Sequence, residues 1–116
     1  MVLAGALSAT MLALLLQASA RPSVVGYEEA VRCAGLTQAA SELAGLETDA
    51  DRALYERAIY WSLTTTTLAQ ARGARGEQAE QDQTRARVQA VRELTMGSAA
   101  ARASLQRCAE RTPNNR

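Results

Sequence analysis

The chain has two cysteines, Cys33 and Cys108, and they stand 75 residues apart in a stretch with almost no strand signal. Two thiols allow a single intramolecular pairing. If they pair, the elements that carry them must lie side by side, whatever else the chain does. Closing a loop of this length removes about 4–5 kcal/mol of conformational freedom from the unfolded chain, which is comparable to the whole stability of a small domain. A catalytic redox pair would be closely spaced. Zinc would need further ligands, and the chain has no histidine. The lesser alternatives are free or intermolecular thiols, so the pair reads as an architectural disulfide.

A lasting disulfide needs an oxidising compartment, and the first twenty residues supply a route to one. Residues 1–20 carry no charged side chain, are dense in Leu and Ala, and end in Ala18-Ser19-Ala20. Arg21 and Pro22 follow, and Pro22 stops a helix from continuing. An apolar run, a small-x-small exit and a polar sequence beyond it form the pattern of a secretory signal. Retention as an anchor is the alternative. A spanning helix wants about 20 predominantly apolar residues, and Ser8, Thr10, Gln17 and Ser19 make this stretch a marginal spanner. The expected organisation is a signal peptide over 1–20, a short lead over 21–26, a helical domain over 27–111 and a frayed tail over 112–116. The expected location is periplasmic or secreted, with no membrane attachment once the signal is removed.

All thirteen basic residues are Arg, twelve residues are acidic, and the formal charge is +1. The Arg and Ala bias fits a GC-rich bacterial genome. A nucleic-acid binder would show a strong basic excess, so nucleic acid is not an expected partner. Large apolar side chains are few and Ala is abundant. A domain near this size buries only about 60–65% of its unfolded surface, so the core is thin. Small side chains compensate in part by letting helices approach closely.

Helical periodicity predicts four segments. In 27–44, Glu28 and Glu29 lie at the positive end of the helix dipole, and Cys33, Leu36, Ala40 and Leu43 repeat at 3-4-3 spacing. Gly45 is a suitable C-terminal stop. In 49–72, Thr48 and Asp51 form a capping-box pattern. Leu54, Ala58, Trp61, Thr65 and Leu68 line one face there, and Tyr55, Ile59 and Ala69 widen it. Apolar character almost all round marks this helix as the expected centre. In 78–96 the first half is polar and expected to project into solvent, whereas Val88, Val91 and Leu94 are expected to be buried. Gly97-Ser98 either ends this helix or bends one long one. The last segment, 99–111, offers Ala101, Leu105 and Cys108. Both cysteines fall on apolar stripes, so the expected fold is all-α: a small antiparallel three- or four-helix bundle with a disulfide between the first and last helices.

Candidates for function are sparse. Tyr55, Tyr60 and Trp61 concentrate aromatic surface in two turns, and Tyr and Trp join an apolar body to a polar tip. They are either a contact patch or, more simply, core and rim. Thr64 to Thr67 could turn hydroxyls toward an interior ligand, Thr65 foremost. The simpler reading is back-bonding to carbonyls one turn earlier. The mixed charges of 77–92 read as surface pairing. No catalytic dyad, phosphate loop or haem motif occurs, so no enzyme activity, cofactor or metal is expected. What remains is a protein-interaction or structural role in the cell envelope, the partner being another envelope protein or a second copy. The alternative is a small apolar ligand held between helices near Tyr55, Trp61 and Thr65.

Overall fold

The computed structural model describes residues 25–113. The leader expected over 1–20 lies outside the described residues, as do 21–24 and 114–116. Four helices follow in order: α1 (Tyr27–Ala44), α2 (Asp49–Ala71), α3 (Gly76–Thr95) and α4 (Ala99–Glu110). No strand occurs among the described residues. Cys33 and Cys108 are joined, with sulfurs 2.07 Å and Cα atoms 5.5 Å apart. The covalent tie between first and last helices is therefore present, and both cysteines are buried.

Local chemistry explains the boundaries. The Thr48 hydroxyl accepts the Asp51 N–H (3.1 Å), while the Asp51 carboxylate accepts the Thr48 N–H (3.1 Å). This reciprocal box satisfies donors that would otherwise be orphaned at the start of α2. Between α3 and α4 the helix breaks rather than bends. Gly97 sits at φ +76°, which L side chains rarely adopt, and the Ser98 hydroxyl accepts the Ala101 N–H to start α4.

The centre of the fold is α1, not α2. Nine of its residues are buried, from Ala30 to Ser41 and on nearly every side, whereas α2 buries four. The physical reason is size. Ala, Gly, Ser and Thr positions let three neighbours crowd one axis, and α1 carries these all round, whereas the bulkier Tyr55 and Ile59 of α2 turn outward. The expectations that Leu43, Tyr55, Ile59 and Val88 are buried fail for the same reason: each is exposed at the edge of a core built from small residues.

Packing directions follow from specific pairs. Arg72, just past α2, lies over the ring of Tyr27 at the start of α1, 4.3 Å from its centroid. Gln38, midway along α1, and Ser62, midway along α2, meet at one amide. These two helices are therefore antiparallel. On another side, Cys33 meets Cys108 and Glu29 pairs with Arg111, so α4 also runs antiparallel to α1.

The polar half of α3 does not project into solvent. Ala79, Gln83 and Ala90 are buried, and the helix crosses α1 at Gly35. A Cβ placed on Gly35 would lie 2.5 Å from the Ala86 carbonyl carbon. Backbone meets backbone there. Around the crossing, Arg32 forks onto Glu93 (2.8 and 3.3 Å), Arg87 reaches Glu42 (3.2 Å) and the Tyr27 hydroxyl donates to Asp82 (2.7 Å). Polar residues predominate on this stretch because it is held by hydrogen bonds and close approach rather than by large apolar side chains.

Candidate functional site

Of the four residues singled out on α2, Tyr60, Trp61 and Thr65 lie together and Tyr55 stands apart. Trp61 is fully buried, and its indole N–H donates to the Cys108 carbonyl (3.2 Å) and the Thr112 hydroxyl (3.0 Å). The Thr112 hydroxyl in turn donates to the Cys108 carbonyl (2.9 Å). Trp61 thus seals the bridged end of the core, and Thr112, expected in the tail, is held against it. Thr65 is fully buried and donates to the Trp61 carbonyl (2.8 Å), and Thr66 donates to the Ser62 carbonyl (3.1 Å). Both threonines back-bond within their own helix.

Tyr60 is half-buried at the rim, edge-on to Trp61, with ring centroids 5.2 Å apart and planes at 80°. Such a T-shaped pair matches the positive edge of one ring to the negative face of the other. Tyr55 lies outside, 49% exposed. Core, rim and surface are three different environments. Of the residues named for a ligand between helices, Trp61 and Thr65 share the core and Tyr55 lies outside it. Among the described residues, no buried side-chain nitrogen or oxygen lacks a partner, so the interior polar atoms serve the fold.

What gathers instead is an apolar stripe on the outside of α2. Tyr55, Ile59 and Leu63 are 49%, 43% and 63% exposed and stand at i, i+4 and i+8, so they lie above one another on one side of the helix. Glu56, Thr67 and Gln70 flank them. The periodic reading assigned Tyr55 and Ile59 to the core. The signal that places them outside is relational: Ala58, Thr65 and Ala69 are the smaller alternative for facing a crowded α1.

A second group lies where α1 begins. Tyr27, Arg72, Asp82 and Arg85 line a shallow notch. Asp82 accepts from Tyr27, from the Gln78 amide (2.9 Å) and from Arg85 (3.4 Å). Burial, reinforced by the hydrogen bond and the negative charge of Asp82, pushes the Tyr27 phenol up to about 12, with Arg72 opposing. Across α1, the hydrogen bond from Arg32 holds the Glu93 carboxyl below its ordinary value, against the opposing effect of desolvation. These paired groups link helices.

The residue that sequence reasoning missed altogether is Gln83. It is buried, and its amide oxygen accepts from the Gln38 amide (3.2 Å) and the Ser62 hydroxyl (2.9 Å). It joins three helices at one atom. Among the described residues no three of His, Cys, Asp and Glu gather to hold a metal, and no helix is long and apolar enough to cross a membrane. Comparison with protein-family models, with curated proteins and with solved structures returns no match.

Proposed function

We propose that this chain is made as an exported precursor and that its mature form, periplasmic or secreted, acts by binding another protein. The single observation that supports binding is the Tyr55-Ile59-Leu63 stripe. A chain with so few large apolar residues leaves three of them in register on the outward side of α2, each 43–63% exposed. Aromatic and aliphatic anchors of this kind dominate the energetics of protein interfaces. Support for export comes from the formed disulfide, which belongs to a non-reducing compartment, together with the apolar leader pattern of 1–20. Chemistry on a substrate has no comparable support.

The test uses a photo-reactive residue at Leu63, with one at exposed Gln106 on α4 as control, in the producing cell. The expected result is a protein adduct specific to position 63, recovered from the extracytoplasmic fraction in a form whose non-reducing mass begins at Arg21. Equal adducts at both positions, or recovery of reduced protein in the cytosol, overturns the proposal.

A further inference from the structure

Two other surfaces of the molecule complement one another and are not in contact within one copy. The first is the outer face of α3, opposite its buried side. Arg85, Val88, Arg92 and Met96 share it, with Val88 46% and Met96 78% exposed. Arg102 extends its guanidinium to the end of this face, within 3.7 Å of where a Cβ on Gly97 would stand. Glu93, at the edge, is engaged by Arg32. Two apolar side chains therefore sit inside a basic frame.

The second surface is the α1–α2 turn. Glu47, Asp49 and Asp51 fall within five residues, next to the exposed Leu43 and Leu46. Arg52 pairs with Asp49, and Asp51 is occupied in capping, but the Glu47 carboxylate has no partner among the described residues. No ion pair among the described residues links this turn to Arg85, Arg92 or Arg102. Arg85 is engaged by Asp82 and Asp49 by Arg52, which leaves Arg92 and Arg102 on the face and Glu47 on the turn as the opposite charges without a partner among the described residues.

We infer that the α3 face of one copy receives the α1–α2 turn of a second copy, Leu43 and Leu46 covering Val88 and Met96 while Glu47 meets Arg92 and Arg102. This rests on the reading of the chain as a protein-binding module and names one partner. The two surfaces differ, so the contact is head-to-tail and each copy of a pair keeps one of its two surfaces free, which propagates into chains or closes into rings. The assembly repeats the α2 stripe, and repetition raises avidity without new contacts. Four apolar side chains cover far less than the roughly 800 Å² per partner of a stable complex, so the association is weak and depends on salt.

The test is sedimentation velocity on the secreted protein from micromolar to millimolar concentration, at low and high salt. Salt-sensitive association is expected, weakened at least tenfold by Arg92→Glu on the face or by Glu47→Arg on the turn. Mixing these two variants is the decisive step. The Arg92→Glu protein retains a working turn and the Glu47→Arg protein a working face, and the two reversed surfaces again carry opposite charges, so the mixture should recover the association that each variant alone has lost. A monomer throughout, association indifferent to both charge reversals, or association abolished by Leu63→Asp overturns the inference. Binding of a monomer to anionic vesicles through Arg92 would do the same. The Leu63 adduct to a different protein is independent of this contact. A monomer that still gives that adduct sinks the inference alone, whereas loss of the adduct with association intact sinks only the use of the α2 stripe.

Discussion

Gly35→Ala should destabilise the protein, against the usual direction of that change. In a helix interior Ala is favoured over Gly by about 1 kcal/mol. At Gly35 the added Cβ would lie 2.5 Å from the carbonyl carbon of Ala86, 2.6 Å from its Cβ and 2.7 Å from its oxygen. Carbon atoms in ordinary contact sit about 3.5–4.0 Å apart, so α1 and α3 must part by about 1 Å. Two of the three atoms are backbone, so no rotamer change relieves the contact. Overpacking of this kind costs about 1–3 kcal/mol, and the upper end applies where backbone is struck. Subtracting the propensity gain leaves a net loss of about 2 kcal/mol, or about 8–16 °C in Tm for a domain of this size. The assay is urea and thermal unfolding by far-UV circular dichroism with the disulfide intact. Gly76→Ala is the control, because nothing lies within 4 Å of a Cβ there, and it should be neutral or slightly stabilising. Ala86→Gly in the Gly35→Ala background should rescue little, since it removes one of the three atoms. A Gly35→Ala protein as stable as its parent, or fully restored by Ala86→Gly, would refute the close crossing.

Three further outcomes are expected. Replacing Cys33 and Cys108 by Ala should lower the unfolding free energy by about 4–5 kcal/mol, seen as a displaced urea midpoint against the oxidised parent. Gln83→Ala should cost about 1–2 kcal/mol, because the Gln38 amide and the Ser62 hydroxyl lose their shared acceptor; a double-mutant cycle with Ser62→Ala should show coupling. The Tyr27 phenol is harder to ionise folded than unfolded, so its contribution is complete below pH 10 and is lost as pH rises toward 12. Urea midpoints across that range should fall less steeply in Tyr27→Phe than in the parent.

Periodicity and punctuation were enough to locate the helices, because the ends of α1 and α3 and the starts of α2 and α4 rest on local devices. Thr48 with Asp51, Gly45 and Gly97 work within a few residues of themselves, so adjacent sequence reveals them. The cysteine pairing was legible because only one pairing exists. The middle of each inward face in α1, α2 and α4 was legible, Cys33, Leu36, Ala58, Trp61, Thr65, Ala101 and Cys108 being buried as expected, but the edges of those faces were not, because the criterion inside this core is size. Gly35, Ala79 and Ala90 are buried where close approach is needed, while Tyr55, Ile59 and Val88 are set outside. Gln83 escaped notice for a related reason. Nothing in its own neighbourhood marks it, and its role depends on Gln38 and Ser62 arriving from two other helices.

The same size criterion separates what stabilises the molecule from what it can use for binding. Cys33 and Gly35 are two residues apart, which on a helix places them on nearly opposite sides of α1. One side is tied covalently to α4; the other meets the α3 backbone. Trp61 and Leu36 are the only large apolar side chains fully buried among the described residues. Stability therefore rests on the bridge, the close crossing and the Gln83 hub, and the outer stripe of α2 contributes to none of them. Leu63→Gln should then shift the unfolding free energy by no more than about 0.5 kcal/mol, as exposed substitutions do, while a photo-reactive residue at neighbouring Ile59 loses its adduct. Paired measurement of the urea midpoint and the adduct yield checks both halves. A Leu63→Gln protein destabilised by about 2 kcal/mol, a loss typical of buried apolar positions, would place Leu63 in the core and remove the reason for assigning the stripe to a partner.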